Sequence, residues 1–426
     1  MDNRIKKYFY QTFACVFLLC GSAAHAVQPR VYQLGDSGAI APHVNLEFGN
    51  DSNPLRANEG SGESTFFRLE PTVSYLVRRR NNELELRFEG DYYQYFEEYC
   101  QAQAPAVVRP GDCLQGSPTF DKASYFDLDF SLNGSLEISS RLRARLELSQ
   151  EIQHQPLGTG QSTNRGVLDA LTTPDAWNDR RARAELAYGA SQARGEVRVG
   201  LTILDRDFES DLDVITLDER SIAPDVRLLY RIGTRTQLFA GLSSSEVRGG
   251  NSASERDVTR QIIGAEFDAS AITSGSVSIS NETEDFLDDN RRDLQFLGVN
   301  VELTWQPRRF STVTINASRE SERGLFQDDI GISTRFAVDW EYFWRERFST
   351  RVGLRLENNE DTDIFSDASE DSDTEDDDIT LRLQGNYNVR RWVDVGGFLE
   401  IDSRDGQGEG RDFDRNVIGV TVNGTF

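Results

Sequence analysis

YFDLDFSLNGSLEISSRLRARLELS, residues 125–149, alternates apolar and polar side chains on both sides of a short Ser139-Ser140 turn. The first half places Phe126, Leu128 and Phe130 on one face and acidic residues on the other, and the second half opposes leucines to arginines. Successive side chains of a β-strand point to opposite faces. This stretch therefore predicts an antiparallel hairpin with one apolar and one charged face.

The same two-residue period recurs along almost the whole chain and predicts about 18 strands. The predicted strands are residues 43–48, 67–77, 84–92, 125–136, 141–149, 181–188, 196–203, 222–232, 237–242, 262–269, 277–279, 297–305, 313–317, 336–344, 352–356, 379–387, 393–401 and 418–426. An even number of strands is typical of bacterial outer-membrane barrels. The fold class is therefore all-β, a transmembrane up-and-down antiparallel β-barrel.

The connections between these strands fall into two classes that alternate along the chain. Short turns are small or arginine-rich, such as Arg78-Arg79-Arg80 and Pro307-Arg308-Arg309. The other connections are long and acidic, at residues 97–119, 153–178, 205–217, 357–378 and 403–411. A meander barrel requires this alternation between periplasmic turns and extracellular loops, whereas a Greek-key sandwich does not. Seven aromatic residues flank the short turns, as an interfacial girdle would: Trp305, Phe310, Tyr342, Trp344, Phe348, Tyr387 and Trp392.

The N-terminal residues have the features of a secretory signal peptide. A basic start is followed by the short apolar stretch Phe13–Cys20 and the cleavage sequence Ala24-His25-Ala26. We predict residues 1–26 as the signal peptide, cleaved after Ala26, residues 27–39 as a short periplasmic segment, and residues 40–426 as the barrel. The predicted location is the bacterial outer membrane.

Composition excludes several classes of function. The formal net charge of −25 argues against a nucleic-acid partner. Only His43 and His154 remain after cleavage, neither of them in a nucleophile motif, so we expect no enzymatic activity and no cofactor. The acidic run 360–378 does not fit a calcium loop, because Asp376 stands where glycine is needed, and a solvated extracellular loop is the preferred interpretation.

The polar face of the predicted strands is rich in arginine. The candidate channel-lining residues are Arg143, Arg145, Arg183, Arg198, Arg227, Arg351, Arg355 and Arg382. Acidic residues such as Glu185, Glu196 and Asp225 share this face, so the favoured interpretation is that cross-strand charge pairs brace a wetted wall. The alternative is a track of unpaired guanidinium groups for an anionic solute.

Two cysteines remain in the exported chain, and we predict that Cys100 and Cys113 form a disulfide rather than two free thiols. Closure of a loop of this size stabilises the fold by about 3 kcal/mol in the chain-entropy model. We interpret Ile418–Phe426 as the last strand, which pairs with the first one and so removes the exposed edge, with Val420 and Val422 facing lipid.

Several segments resemble the family of β-barrel porins associated with bacterial exopolysaccharide biosynthesis. They are FGNDSNPLR (48–56), LELRFEGDYYQYFEE (84–98), LNGSLEISSRLRARLELSQEIQHQP (132–156) and LTILDRDFES (201–210). The resemblance implies an outer-membrane barrel through which a polysaccharide leaves the cell, together with a separate periplasmic export protein. It also implies that Phe426 is the terminal aromatic recognised by the barrel assembly machinery, and that the barrel contacts lipid and lipopolysaccharide. The cysteine loop and the acidic run look like departures from this family.

Three functions follow as hypotheses. The first is export of an exopolysaccharide through a water-filled, charged lumen. The second is a diffusion porin for small solutes, anionic ones among them, which a constriction formed by residues 153–178 would favour. The third is a structural or adhesive surface barrel that does not conduct.

Overall fold

The computed structural model describes residues 31–58, 62–96, 99–100, 119–120, 123–159, 162, 173–190, 193–209, 218–249, 255–270, 272–323, 330–362, 374–407 and 411–426. The predicted signal peptide lies outside these residues. The predicted disulfide also lies outside what is described, because Cys113 and the side chain of Cys100 are not included.

The described residues form 21 strands. They are β1 (Tyr32–Leu34), β2 (Gly38–Asp51), β3 (Ser64–Arg79), β4 (Asn82–Tyr95), β5 (Tyr99–Cys100), β6 (Thr119–Phe120), β7 (Tyr125–Glu137), β8 (Leu142–His154), β9 (Ala176–Tyr188), β10 (Gly195–Glu209), β11 (Glu219–Ile232), β12 (Thr236–Gly249), β13 (Arg256–Ser270), β14 (Thr273–Phe286), β15 (Leu294–Arg308), β16 (Ser311–Arg323), β17 (Ile330–Arg345), β18 (Phe348–Thr362), β19 (Thr374–Arg390), β20 (Val393–Gly406) and β21 (Phe413–Thr425).

Eighteen long strands form one closed antiparallel barrel. Each pairs with its neighbours in the sequence, and the barrel closes where β2 pairs with β21, from His43 opposite Thr425 to Asp51 opposite Val417. Three-residue β1 extends the sheet along β2, and β5 and β6 form a separate two-stranded ribbon. The predicted fold class is confirmed, and the pairing of the last strand with the first is as expected. The first barrel strand begins at Gly38, two residues before the predicted boundary at residue 40.

The outer face of the barrel is apolar because every second residue of each strand points outward. On β21 the outward side chains include Ile418 and Val420, which are 62% and 54% exposed in the isolated chain. Trp305, Trp344 and Trp392 lie beside short turns and are also exposed. An outward apolar band with aromatic residues at its edges is characteristic of membrane barrels, so this face has the form of a lipid-facing surface. In bacterial outer-membrane barrels the short-turn end faces the periplasm and the long-loop end faces the exterior.

At the long-loop end the strands continue beyond the apolar pattern. β18 runs to Thr362 and β19 starts at Thr374, so both ends of the acidic run 360–378 are strand. The interpretation of this whole run as a solvated loop is therefore wrong at its ends. Backbone pairing continues above the membrane, where side chains on both faces are polar and the two-residue hydrophobic period disappears.

The described part of the chain contains no helix with the length and apolar character needed for a membrane span. Nor does this part bring together three or more His, Cys, Asp or Glu side chains in an arrangement suited to a metal ion.

Candidate functional site: the lumen and its long-loop mouth

The eight arginines predicted to line the channel share the inner face of the barrel. On β8, for example, Arg143 and Arg145 alternate with Leu142 and Leu146, and the leucines are on the outer face. The same alternation places Arg382 on the inner face of β19 and its neighbours Leu381 and Leu383 on the outer face. The two-residue period therefore predicted the direction of these side chains. Their partners come from the pairing of neighbouring strands.

Arginines on β8 to β10 form a ladder with carboxylates on β9 to β11, which we call the charged wall. Arg143 forms an ion pair with Glu196, and the Nε atom of Arg198 donates to the other carboxylate oxygen of Glu196 at 2.6 Å. Nη1 of Arg145 lies 3.1 Å from Glu185. In addition, Nη1 of Arg183 donates to Asp225 at 2.6 Å and to the Thr202 hydroxyl at 2.9 Å. Each of these four guanidinium groups therefore has a carboxylate partner.

The other predicted arginines differ in how they are held. Arg382 donates to Glu47 at 2.8 Å and to Glu400 at 3.2 Å, and its guanidinium lies 4.4 Å from the centre of the Phe398 ring. Arg351 is 3.3 Å from Glu341 and is half-exposed.

Two further positions complete the set of eight. The guanidinium of Arg227 stacks 5.0 Å from the Phe239 ring centre. Among the described residues, Arg355 alone of the eight makes no hydrogen bond, ion pair or ring contact. Aromatic stacking holds an arginine against the wall as an ion pair does, so most of the set is fixed.

A polar cavity of about 480 Å³ occupies the inner face of β17 to β21, β2 and β3. Its lining includes His43, Glu47, Arg68, Glu341 and Arg382. Arg68 makes a bidentate pair with Asp91, with Nε and Nη2 at 2.9 and 2.6 Å from the two carboxylate oxygens. The lining is thus charged, but opposite charges alternate along it.

A buried cluster at the long-loop end was missed by sequence reasoning. Its members lie on the inner side of the barrel; we call it the inner cluster, and it comprises Leu55, Ala57, Phe66, Tyr93, Tyr95, Ala123, Tyr125, Leu157, Phe398 and Val417. The rings of Phe66 and Tyr93 stack at 5.1 Å, and Tyr93 stacks on Tyr125 at 5.4 Å. A signal was present in the sequence, because Tyr93 and Tyr95 fall on the charged face of β4, where a water-filled wall needs no aromatic rings.

Residues 155–159, which follow β8, fold onto the inner cluster. Leu157 is buried in it, with 2% of its surface exposed. Nη1 of Arg404 on β20 donates to the carbonyl oxygen of Gly158 at 3.0 Å, across a sequence separation of 246 residues. Because β8 and β20 lie on different sides of the closure between β2 and β21, this segment spans part of the barrel mouth. These contacts hold the segment on the inner side of the barrel at the long-loop end.

Gly158 fits this docking position because it has no side chain. Its φ is +73°, and a Cβ atom there would lie 2.4 Å from the Leu55 carbonyl oxygen. Any other residue would be strained in this backbone conformation and would also collide with the 52–58 loop. The docked position of the segment therefore depends on glycine at this point.

Buried ion pairs surround the docked segment. Nε of Arg415 donates to Asp51 at 2.9 Å, and Tyr95 donates to the same carboxylate at 2.7 Å. Asp51 is fully buried. Arg404 makes a bidentate pair with Asp378 at 2.7 and 2.8 Å. Asp378, at the end of the acidic run, therefore belongs to a network of buried ion pairs.

The inner face of β14 to β16 is different, and we call it the hydroxyl wall. It presents small hydroxyl and amide side chains: Ser276, Ser278, Ser280, Asn300, Thr304, Thr312, Thr314, Asn316 and Ser318. Ser278 pairs with Asn300, which pairs with Ser318, and the neighbouring row on the outer face is Val277, Val301 and Ala317. Glu302 is charged, and nearer the long-loop end the same face of β14 carries Glu282 and Glu284, which form ion pairs with Arg260 and Arg256.

His154, the last residue of β8, makes two specific side-chain contacts. Its Nδ1 is 2.8 Å from Asp127, and its ring stacks on Tyr125 at 5.8 Å. β8 continues past the apolar pattern and so brings the ring against the inner cluster.

These features define the class of protein: an outer-membrane β-barrel with a charged lumen, a porin-like channel. The chain belongs to the family described as "Putative beta-barrel porin 2", whose model matches residues 37–426. None of the curated proteins is detectably related to it by sequence.

Solved outer-membrane proteins share the general shape at low identity. A BenF-like porin from Pseudomonas fluorescens Pf-5 has 8% identity and a TM-score of 0.46, with 92% of this chain and 100% of that chain covered. OccK9 (OpdG) from Pseudomonas aeruginosa has 10% identity and a TM-score of 0.46, with 91% and 98% covered. OccAB3 from Acinetobacter baumannii has 10% identity and a TM-score of 0.45, with 92% and 100% covered. Similarity of this degree does not specify a solute.

Proposed function

We propose that the barrel is a diffusion channel for small polar solutes. The observation that carries the proposal is the docked segment 155–159, held at the long-loop mouth by burial of Leu157 and by the bond from Arg404 to Gly158. A segment that narrows a wide barrel selects solutes by size, as pore diameter does in other channels. Passage through a wetted wall needs no catalytic step, and the proposal includes none.

The lumen charges favour neutral solutes over anions. Six of the eight candidate arginines are ion-paired with carboxylates, and Arg227 stacks on Phe239. An anion track needs guanidinium groups whose donors are free to bind the solute. The paired groups support the bracing interpretation, with sugars and other neutral polar molecules as the solute class.

Two measurements on the full chain test this function. In planar bilayers we expect stable single-channel conductance, and its absence would contradict any diffusion channel. In liposome swelling we expect monosaccharides to enter faster than trisaccharides, because the docked segment restricts size. Equal rates for both sugars would contradict size selection by the docked segment.

Export of an exopolysaccharide is the second candidate. The hydroxyl wall favours it, since hydroxyl and amide groups exchange hydrogen bonds with sugar hydroxyls without holding them by charge. The sequence resemblance noted above points the same way and includes a periplasmic export protein as partner. Deletion of the gene should then lower surface polysaccharide, and an unchanged yield would exclude export.

Assembly partners are part of the proposal. Phe426 is 50% exposed, and its ring centre lies 6.1 Å from that of Trp392 at the short-turn end. We propose that the assembly machinery reads this accessible aromatic during insertion. Deleting Phe426 should lower the amount of folded barrel in the outer membrane, as a heat-modifiability gel reports, without changing the conductance of channels that do fold.

A further inference from the structure

The lipid-facing surface carries a depression at the short-turn end of β3 to β10. It has a volume of about 680 Å³ and is lined mainly by apolar side chains. Leu84, Leu136, Leu146 and Leu186 form its ridges and are between 38% and 53% exposed. Volumes of 300 to about 1,000 Å³ are typical of small-molecule sites. The depression is therefore large enough to hold part of one ligand.

The depression arises from small residues between large ones. Strand register places Gly134 between Leu84 and Leu146, and Ala144 between Leu136 and Leu186. Ala184 lies beside Leu146 in the next strand. A band of uniform leucines would leave no such recess, so the sequence pattern itself produces the apolar depression.

A single unpaired cation stands at the mouth of the depression. Arg79 lines it, is exposed, and is on the outer face, since it is two residues beyond Val77. Among the described residues its guanidinium group has no hydrogen-bond or ion-pair partner, whereas that of neighbouring Arg78 donates to Glu83 at 2.9 and 2.6 Å. Arg79 ends β3 at the short-turn side, which is the level of lipid headgroups.

We propose that this depression binds one anionic glycerophospholipid of the periplasmic leaflet, with an acyl chain between the leucine ridges and the headgroup phosphate on Arg79. Guanidinium groups present planar paired donors that match phosphate oxygens. The apolar recess accepts a chain, and the free arginine selects the headgroup charge. The proposal concerns the outer surface and does not depend on which solute crosses the lumen.

Native mass spectrometry of the full chain in neutral detergent tests the proposal. Palmitoyl-oleoyl phosphatidylglycerol and phosphatidylcholine, which have identical chains, are added in equal amounts, and the ratio of their adducts is measured. The wild type should retain one lipid and prefer phosphatidylglycerol. Arg79→Gln should lower this preference by about fivefold, which is the effect expected of one arginine near an anionic surface.

Further variants test whether the lipid binds in the depression or is attracted by the charge of the barrel rim in general. Gly134→Leu should lower both adducts, because the new side chain fills the recess; a Cβ there would lie 3.8 Å from Leu84, so the fold accepts it. Ala144→Leu fills the recess from another strand and should have the same effect. A heat-modifiability gel verifies that each variant folds. Arg309→Gln, an exposed arginine on the turn between β15 and β16, should change nothing.

Three results would overturn the proposal. They are a wild-type ratio of one, a loss for Arg309→Gln equal to that for Arg79→Gln, and full lipid retention by folded Gly134→Leu and Ala144→Leu proteins.

Discussion

The inner cluster and the hydroxyl wall come from strands with the same two-residue period, yet they differ in packing. Around the inner cluster, aromatic rings and paired charges on β2 to β4, β20 and β21 are buried under the docked segment. On β14 to β16, serine, threonine and asparagine line the inner surface with small polar groups. Alternation decides which side chains face inward. The size and charge of those side chains decide whether that part of the lumen is filled or hydrated.

The largest expected difference concerns buried charge beside the inner cluster. Asp51→Ala removes the carboxylate that accepts from Arg415 and Tyr95, leaving a buried guanidinium with weaker compensation from Glu400. We expect the free energy of unfolding to fall by about 3 kcal/mol. Urea unfolding in lipid vesicles, followed by tryptophan fluorescence, measures it.

The matched control is an exposed pair on the outer rim. Arg220 is 68% exposed and lies 3.2 Å from Asp205. Asp205→Ala should cost less than about 1 kcal/mol, because solvent screens such pairs. If Asp51→Ala and Asp205→Ala lowered the free energy of unfolding equally, the proposed difference between the buried ion pairs and the exposed rim would be wrong.

The next effect concerns docking of the segment at the mouth. Gly158→Ala forces a left-handed backbone onto a residue with a Cβ, at about 1 kcal/mol or more, and adds the collision with the 52–58 loop. The segment should undock, and single-channel conductance should rise. Gly233→Ala is the control, since its φ of +71° is similar but a Cβ there meets nothing within 4 Å. Unchanged conductance in Gly158→Ala would exclude a constriction by this segment.

A smaller effect distinguishes lumen arginines that form ion pairs from Arg355, which forms none with the described residues. Arg382→Gln removes two ion pairs and a ring contact, but its side chain is 32% exposed, so we expect a loss of only about 1 kcal/mol. Arg355→Gln removes no described ion pair and should stay within about 0.5 kcal/mol of wild type. The same urea titration measures both. Equal losses would contradict bracing by paired arginines.

The smallest effect is expected on the hydroxyl wall. Thr314→Arg places a guanidinium between Thr304 on β15 and Asp339 on β17, and the permeability ratio should shift towards anions by up to about fivefold, since a unit charge about 4 Å away in water contributes about 1 kcal/mol. Thr314→Gln has similar reach without charge and should leave the ratio unchanged. Reversal potentials in a salt gradient report the ratio. A shift in both variants would assign the effect to bulk rather than charge.

Much of the barrel was predictable because its determinants are local. The alternation of apolar and polar residues on β7 and β8 identified the hairpin. The alternation of short turns and long loops indicated that successive strands run up and down. Strand ends at the long-loop side were predicted too short, because the apolar period ends where the membrane ends while backbone pairing continues to Thr362 and from Thr374. The inward direction of Arg143 and Arg382 was predicted by the same period.

By itself the sequence determined the closed barrel, because a two-residue period with an apolar face leaves no other way to satisfy every backbone group in lipid. It also determined which side chains enter the lumen. Only the tertiary structure decided that Leu157 docks on the inner cluster and that Arg404 holds Gly158, since these contacts join residues up to 246 positions apart. Contacts of that kind depend on barrel closure and strand register, which bring distant loops together at one mouth.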